Sequence, residues 1–482
     1  MDLTSVMRRD LAAKTIGEVG SRLGVLLFFF YVARKVSAAG FGTLSVVLSV
    51  AVLLGVVFLD PGLNIVTVQR VVQLQASAVH CVGAVLALKL LLMLPVVGVV
   101  LLGAYFGGGR LPALSLMLAG LYVLCTAIFE FFCSITNGFH RMDLEAVLKI
   151  GQRLLTVCLG LGVIVLVAPS VDGVLLALVV GMAIGCVAAW WAVRGECVPL
   201  ALVWDPTAML RALRLGFPVA GTYIITAVYL KWDMPILSFF NIEATEIGWY
   251  AGAYRLLEAL SAIPGILGSA IFPTLVHLRS HQDDRFPRLL LLSIKLVLLS
   301  SLPLACLLGV FSREVIVAVY GKAYEPGGAF LSILAWSVVP IFCYFFLVFV
   351  NVAGDCAEYN VYSGLCSLMT GLVANLVLTP HLGSRGVAWA GVCANSVFAF
   401  LALRKAAPIV GVDQIVRIAV RLLACGTVLL LVLLVVPLGP IRRAGVGIMA
   451  YLAMTIALRV VTSHDVSAAF RMIWPRVRPA LS

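Results

Sequence analysis

Apolar runs of about twenty residues recur along the whole chain, separated by short polar connectors. A helix needs about 20 apolar residues to cross the hydrocarbon core of a bilayer, where it must satisfy its own backbone polar groups. The pattern predicts an all-α, polytopic membrane protein with about fourteen transmembrane helices. The predicted spans are 15–36, 42–62, 79–106, 111–137, 145–168, 172–194, 216–240, 246–273, 288–312, 327–353, 358–380, 386–403, 411–436 and 444–462.

Composition excludes a sizeable soluble domain between the spans. Hydrophobic residues make up 62% of the 482 residues and charged residues 12%, against roughly 25% charged in a typical soluble domain. The mean hydropathy is +1.12. The formal net charge is +12, but the basic residues are spread between apolar runs and form no basic patch of the kind that binds nucleic acid. We therefore expect no nucleic-acid partner.

The basic residues instead predict the topology. With the N-terminus inside, about twenty Lys and Arg residues fall on the cytoplasmic side and about eight on the other side, as the positive-inside rule requires. Both termini are then cytoplasmic. A basic segment before an apolar run is also typical of a cleaved signal peptide. Because Arg22 and Arg34-Lys35 bracket the run, we expect it to be retained as the first span.

The sequence predicts no metal, cofactor or catalytic site. The twelve cysteines are scattered without a Cys-x-x-Cys pair, which is typical of buried thiols. His277 and His281 have the i, i+4 spacing of metal ligands on a helix, but they lie in a polar connector that we interpret as a solvated loop. No Gly-x-x-x-x-Gly-Lys-Ser/Thr loop is present, so the chain is not expected to hydrolyse nucleotide.

Three local patterns of the first half return about 210 residues later in the same order. They pair Phe41-Gly42-Thr43-Leu44 with Ile247-Gly248-Trp249-Tyr250, Asn137-Gly138-Phe139-His140 with Ala353-Gly354-Asp355-Cys356, and 169–173 with 380–386. The repeat predicts two parallel six-helix lobes, residues 1–205 and 206–410. Residues 411–482 would add a helix pair and a basic cytoplasmic tail. Transporters built on such repeats bind substrate between the halves.

The boundary between the halves has a helix-start signal of its own. Asp205-Pro206 is typical of a helix N-terminus. Arg211 and Arg214 follow it and favour a short helix at the membrane interface.

The chain resembles the multidrug/oligosaccharidyl-lipid/polysaccharide (MOP) flippase superfamily, and within it the polysaccharide-biosynthesis and O-antigen flippases. The resembling segments cover nearly the whole chain in family order. They are Ala33-Arg34-Lys35, Gly40-Phe41-Gly42, Asp60-Pro61-Gly62-Leu63, Asn137-Gly138-Phe139, Asp233, Gly248-Trp249-Tyr250-Ala251-Gly252-Ala253-Tyr254-Arg255, Phe272-Pro273, Tyr320-Gly321-Lys322-Ala323-Tyr324 and Gly386-Val387-Ala388-Trp389-Ala390.

The resemblance implies a fourteen-helix fold of two six-helix lobes around a central cavity, plus a final helix pair that shelters a lipid tail. It also implies transport of a polyprenyl-pyrophosphate-linked oligosaccharide to the outer leaflet of the bacterial cytoplasmic (inner) membrane by alternating access. Such a protein supplies O-antigen, capsule or exopolysaccharide biosynthesis. Its expected partners are the lipid-linked substrate, membrane lipids and other polysaccharide-assembly proteins, and we expect a monomer without cofactors.

Ionisable residues inside the predicted spans are the candidate functional groups. Exposed to lipid, nine charges would cost on the order of 20–30 kcal/mol, so they are expected to face protein or a wet cavity. The nine are Glu18, Arg22, Lys89, Glu130, Lys231, Asp233, Arg255, Glu258 and Lys295.

Among these nine residues, two pairs each share one face of a helix. Glu18 and Arg22 are spaced i, i+4, and Arg255 and Glu258 are spaced i, i+3. Each pair is either a structural ion pair that lowers insertion cost or a cation held ready for phosphate by an acid. Because a guanidinium binds phosphate bidentately, Arg22 and Arg255 are the main predicted pyrophosphate ligands.

Lys231 and Asp233 lie about 200° apart on a regular helix, so they cannot face one cavity unless the helix is broken. Pro235 cannot donate to the carbonyl of Lys231 and therefore predicts a bend there. We expect Lys231 to point toward substrate and Asp233 to have a structural or coupling role.

The remaining in-span charges are ambiguous from sequence. Lys89 and Lys295 either line the cavity and bind substrate or extend along lipid-facing walls to the interface. Glu130 is either a coupling residue that takes up a proton or a buried, neutral, hydrogen-bonded carboxyl. Glu18 and Glu258 join Asp233 and Glu130 as candidate coupling or gating residues.

Two other functions fit part of the pattern. A multidrug exporter on the same fold would favour net negative charge in its cavity, whereas five of the nine in-span charges are cations. A membrane polymerase or ligase would need catalytic groups in a sizeable outer loop. The longest outer connector lies at about 313–326. Besides its tyrosines, its only ionisable residues are Arg313, Glu314, Lys322 and Glu325.

Overall fold

The computed structural model describes residues 20–21, 23–60, 62–74, 78–106, 111–197, 201–281, 283, 285–354 and 356–460. These residues form helices and no strand, which confirms the all-α prediction. The α-helices are α1 (23–35), α2 (Ala38–Leu54), α3 (Leu63–Leu74), α4 (Val79–Phe106), α5 (Ala113–Gly138), α6 (Met142–Leu166), α7 (Val171–Glu196), α8 (Pro206–Lys231), α9 (Asp233–Phe239), α10 (Ala244–Ser280), α11 (Arg285–Val310), α12 (Ser312–Tyr320), α13 (Gly328–Leu334), α14 (Val338–Ala353), α15 (Ala357–Leu382), α16 (Ser384–Val410), α17 (Val412–Val435) and α18 (Pro440–Ala457). A π-helix, Gly55–Leu59, extends α2, and 3₁₀ turns at Lys322–Gly327 and Ala335–Ser337 flank α13.

The long helices confirm a multi-pass membrane protein. Within the described ranges, ten helices are long and apolar enough to cross a bilayer, or eleven when α10, which bends by 42° between Ser269 and Thr274, counts as one span. The count of fourteen stays a prediction. Most boundaries agree closely with the sequence pattern, since α4 covers the predicted span 79–106 and α17 differs from 411–436 by one residue at each end.

The chain divides into two compact units, Met1–Ala251 and Gly252–Ser482. In the first unit, side chains of α3, α4, α5, α7 and α8 form a continuous apolar core. In the second unit, α17 and α18 pack on α11 around Cys425 and Tyr451, and the Tyr451 hydroxyl donates to the Leu299 carbonyl at 3.0 Å. The lobe boundaries at residues 205 and 410 stay a prediction.

The repeated motifs occupy the same positions in corresponding helices. Gly42 is the fifth residue of α2 and Gly248 the fifth residue of α10. Gly138 ends α5, and Gly354 directly follows the end of α14. The third pair agrees as well, because Gly173 and Gly386 are each the third residue of their helices, α7 and α16. The register is identical at the first and third pairs and differs by one residue at the second, which supports the internal repeat.

Gly42 and Gly248 also pack against each other in a reciprocal way. A methyl group on Gly42 would overlap the carbonyl oxygen of Ala244, and one on Gly248 would overlap the carbonyl oxygen of Ala38. Each blocking residue lies four positions before the partner glycine. The first turns of α2 and α10 are therefore in backbone contact, which only residues without a side chain permit.

The segment before α8 contains one confirmed and one wrong prediction. Asp205 caps α8, and its carboxylate accepts hydrogen bonds from the backbone N–H groups of Thr207 at 2.9 Å and Ala208 at 3.2 Å. Bonds from Thr207 lower the pKa of the Asp205 carboxyl below its ordinary value. A separate interfacial helix is absent from this described stretch, because residues 211 and 214 belong to the first turns of the continuous helix Pro206–Lys231.

We predict that Gly42→Ala and Gly248→Ala each destabilise the protein by about 1–3 kcal/mol, the cost of overpacking a tight contact. Thermal melting of the detergent-purified protein measures the effect. Gly265→Ala is the matched control on α10, because a methyl group there would meet no atom within 4 Å. Equal melting temperatures for all three variants would contradict the backbone contact between α2 and α10.

Candidate functional site

Lys89 is a fully enclosed cation in the first unit. Its side chain is 1% exposed, and its ammonium donates to the Leu59 carbonyl at 3.2 Å. The same nitrogen lies 3.6 Å from Asp60 Oδ1 and 5.8 Å from the centre of the Phe131 ring. Lys89 therefore does not extend along a lipid-facing wall. Its ammonium is held by a carbonyl, a carboxylate and an aromatic face.

A break in the second span explains this arrangement. The π-helix ends at Leu59, and Gly62 adopts a positive φ of 73° before α3 begins. Such a break leaves carbonyl oxygens without helical donors, and no water is available in hydrocarbon to replace them. Asp60 lies just before α3 and caps its first turn. Its carboxylate accepts hydrogen bonds from the backbone and side-chain N–H groups of Asn64 at 3.0 and 2.8 Å. Lys89 thus stabilises both sides of the break.

A second break confirms the expected interruption near Pro235. The helix stops at Lys231 and restarts at Asp233, with Trp232 between them. Asp233 is 7% exposed, and the fully buried Tyr250 donates its hydroxyl to Asp233 Oδ2 at 2.7 Å. Lys231 is half-buried and lies close enough for its charge to act on Asp233. Its predicted orientation toward substrate is untested.

Arg255 lies on α10 in the second unit beside a pair of stacked tyrosines. Glu258, one turn further along α10, and Tyr320 are near enough to act on its charge. Tyr320 donates its hydroxyl to the Gly252 carbonyl at 2.9 Å and stacks on Tyr324 with ring centres 5.1 Å apart. The turn between the two tyrosines requires Gly321, whose φ is 93°. The Tyr320 hydroxyl therefore joins the motif at residues 320–324 to α10, three residues before Arg255.

Glu130 does not match the neutral, buried alternative. Its carboxylate is 3.1 Å from the Lys149 ammonium, and its side chain is 44% exposed. Lys149 also pairs with Glu145 at 3.0 Å. Separately, Arg141 pairs with Glu196 at 2.5 Å and with Asp143 at 3.3 Å. Glu130 therefore belongs to an ion-pair group that joins α5 to α6 through Lys149, and a coupling role for it stays a prediction.

The other predicted site residues are less informative. Lys295 is half-buried on α11 in the second unit. Glu18 and Arg22 lie outside the described residues, so their pairing and the proposed phosphate contact of Arg22 stay predictions. Whether any of these residues binds substrate is likewise untested.

His277 and His281 are both exposed, as expected for a solvated segment, but the segment up to Ser280 is helical and is not a loop. The helix α10 continues to Ser280 and includes His277, whose ring centre is 4.4 Å from that of His281. Across the described part of the chain, no three His, Cys, Asp or Glu side chains form a group that could hold a metal. All twelve cysteines are free thiols, but only Cys133, Cys306, Cys343 and Cys425 are buried, so the prediction of buried thiols holds for four of them.

Sequence reasoning missed three partners: Asp60 for Lys89, Tyr250 for Asp233 and Tyr320 near Arg255. Asp60 and Lys89 are separated by 29 positions, and no local periodicity joins residues on different helices. The signal in the sequence that could have found two of these partners is the chemistry of tyrosine. A tyrosine buried in a span normally needs a hydrogen-bond partner, so Tyr250 and Tyr320 could have been matched to buried polar groups.

A family model described as polysaccharide biosynthesis protein matches residues 7–279, more than half of the chain. The chain belongs to this family. No curated protein is similar enough in sequence to count as a match. The fold of this polysaccharide biosynthesis protein is that of MOP superfamily transporters, which confirms the resemblance seen in its motifs.

Three solved structures illustrate the shared fold. Lipid II flippase MurJ in an inward closed conformation has a TM-score of 0.74 at 15% identity, covering 93% of this chain and 99% of that chain. An inward-facing multidrug resistance MATE family transporter has a TM-score of 0.60 at 15% identity, covering 81% and 95%. An outward-facing structure of such a transporter gives 0.53 at 15% identity, covering 82% and 96%. At these identities the likeness concerns the fold alone.

We predict that Lys89→Met destabilises the protein by about 1–3 kcal/mol, because the Leu59 carbonyl loses its donor and the partly exposed Asp60 carboxylate loses its cation. Lys89→Met combined with Asp60→Asn is expected to recover part of this loss, since no unpaired carboxylate then remains. Thermal melting of the single and double variants forms a double-mutant cycle. Strictly additive losses would show that the two side chains do not interact.

We also predict that Tyr250→Phe costs about 1–3 kcal/mol, because the buried Asp233 carboxylate loses its donor. Tyr359→Phe is a matched control, since that hydroxyl donates only to the Leu401 carbonyl at 3.1 Å and is half-buried. The Asp233→Asn variant should lessen the effect of Tyr250→Phe. If the loss is unchanged in that background, the hydrogen bond is not its cause.

Proposed function

We propose that this polysaccharide biosynthesis protein is a flippase that carries polyprenyl-pyrophosphate-linked oligosaccharide repeat units across the bacterial cytoplasmic membrane. One observation carries the proposal: a chain of this family, with a fold like that of lipid II flippase MurJ, keeps cations inside apolar helices. A cation at membrane depth is costly and is typical of a substrate pathway. An anionic pyrophosphate is the ligand that would use it.

In this proposal the cations bind the head group and the acids control their release. Arg255 supplies a planar fork for phosphate, and Glu258 holds the guanidinium when substrate is absent. Lys231 contacts the substrate next to the helix break at Trp232. Arg22 and Lys295 complete the set of candidate ligands, whereas Lys89, the other cation predicted to bind substrate, is fully enclosed and holds the break in the second span. Asp233, Glu18 and Glu130 are the remaining candidate coupling residues.

Alternating access would use the contact between α2 and α10. The glycine pair Gly42 and Gly248 permits a seal made of backbone alone, so the first turns of these helices can meet and part without rearranging side chains. The predicted topology puts both first turns at the outer face, with both termini in the cytoplasm. The seal would then close the pathway toward the outside. We infer a monomer that works beside other polysaccharide-assembly proteins.

A multidrug exporter is the second candidate, because MATE transporters share the fold. An excess of cations over acids in the spans favours an anionic substrate over cationic drugs. A polymerase or ligase is disfavoured by the outer connector that follows α11. This connector is helical, and its Arg313 and Glu325 pair with each other at 2.5 Å.

We expect Arg255→Ala and Lys231→Ala each to lower translocation of lipid-linked oligosaccharide about tenfold to a hundredfold. Such a loss corresponds to the roughly 1.5–3 kcal/mol of one charge-assisted hydrogen bond. Accumulation of single repeat units on the cytoplasmic face of cells that depend on the variant measures the loss. Arg417→Ala removes an exposed arginine of α17 and is the matched control at equal expression.

Arg255→Lys tests the role of the guanidinium fork and should fall between the wild type and Arg255→Ala. Wild-type translocation in both Arg255→Ala and Lys231→Ala would refute the proposed binding roles. Repeat units that reach the outer face in cells lacking the protein would refute the flippase function itself. Drug accumulation in the same cells then tests the exporter alternative.

A further inference from the structure

A narrow slot in the first unit has an apolar interior and a polar mouth. The interior is a cavity of 330 Å³ whose walls come from α2, α4, α5 and α9, and Ser238 is the polar residue among the described lining. A second cavity of 180 Å³ adjoins it and is lined by Thr43, Ser238 and Asn241 among apolar residues. Val46, Leu111 and Ser238 line both cavities. The two are therefore parts of one amphipathic slot.

The slot has the depth of one membrane leaflet. Along α2 its lining residues are Thr43 at the mouth and then Val46, Val50 and Leu54. The eleven positions from Thr43 to Leu54 rise about 16 Å at 1.5 Å per residue. One leaflet of hydrocarbon is about 15 Å thick, half of a core of about 30 Å. An extended chain anchored at the mouth would reach the bilayer midplane.

The mouth lies at one end of the spans. Its lining residues lie near the start of α2, at Leu111 before α5, and in the turn between α9 and α10. The predicted topology places this end at the outer face. The interior lies alongside apolar, lipid-exposed helix surfaces such as Leu101 and Leu102 of α4. An apolar interior beside such surfaces suits a hydrocarbon chain of the surrounding leaflet.

The chemistry of the mouth selects the kind of head group. Its described polar groups are two hydroxyls and one amide, and none of its described lining residues carries a charge. Thr43 already donates its hydroxyl to the Ala39 carbonyl at 3.1 Å, so its oxygen remains available as an acceptor. Neutral donors and acceptors suit glycerol hydroxyl and ester groups. A pyrophosphate would want cations, which are the residues proposed for substrate elsewhere.

We propose that this slot binds one acyl chain of an outer-leaflet glycerophospholipid, with the ester region at Thr43, Ser238 and Asn241. None of the proposed substrate cations is among its described lining residues. Because α2 and α9 form part of its wall, the bound chain fills the space beside both broken spans. Its lipid occupancy does not depend on whether the protein transports lipid-linked oligosaccharide.

Photocrosslinking of the full-length protein in vesicles tests the proposal. The probe is a phosphatidylethanolamine with a diazirine near the end of one acyl chain, present at low mole fraction. We expect adducts concentrated on peptides that contain Val50, Val99 and Leu116. Val50→Trp fills the slot and should lower these adducts about tenfold, or about 1.4 kcal/mol of affinity. Leu102→Trp, on the lipid-facing side of α4, is the matched control and should keep them.

A second variant keeps the test decisive if Val50→Trp does not fold. Val99 lines the slot but is 43% exposed, so Val99→Trp is expected to fold and to lower the adducts as well. Adducts distributed in proportion to exposure, or unchanged in a folded Val99→Trp protein, would overturn the proposal. A parallel arm uses a diazirine-bearing polyprenyl pyrophosphate. Stronger slot labelling by that probe would also overturn it, because the slot would then hold the carrier lipid.

Discussion

Hydrocarbon offers no hydrogen bonds, and this constraint governs the whole chain. Each helix satisfies its backbone internally, so any break in a span must be repaired by other protein groups. The break after Leu59 is repaired by the Lys89 ammonium, which reaches from α4 to a carbonyl at 3.2 Å. A lysine at 1% exposure would be prohibitively costly without such partners. Breaks and buried charges therefore occur together for an energetic reason.

The same constraint explains the use of glycine. Helices in lipid gain little from the hydrophobic effect when they meet, so close packing and backbone approach become the main attractions. Gly42 and Gly248 achieve that approach reciprocally, each against the carbonyl four residues before its partner. Because both glycines are the fifth residue of their helices, the contact has the local symmetry of the sequence repeat. The start of α2 thus packs against the start of α10, the corresponding segment of the repeat in the same chain.

Spans were largely predictable from the sequence because twenty-residue apolar runs have one physical explanation in a membrane protein. The break at Trp232 was also predictable, since Pro235 lacks a backbone donor. Pairings between helices were not predictable. Nothing local in the sequence joins Asp60 to Lys89, and the exposed ion pair of Glu130 with Lys149 depends on how α5 and α6 pack. Substrate contacts are harder still to predict from the sequence, because they depend on a bound ligand as well as on packing.

Helix breaks give a membrane transporter both mobility and chemistry. A regular span has no free backbone groups, whereas a broken one presents carbonyls and caps that must be held by side chains. At the α8–α9 break the Asp233 carboxylate accepts from the Tyr250 hydroxyl, and the charge of Lys231 acts on the same carboxylate. Any movement at the break alters the distances among these groups. Charge and conformation are thereby linked at the same residues, which is the physical requirement for a bound anion to bias the state of the protein.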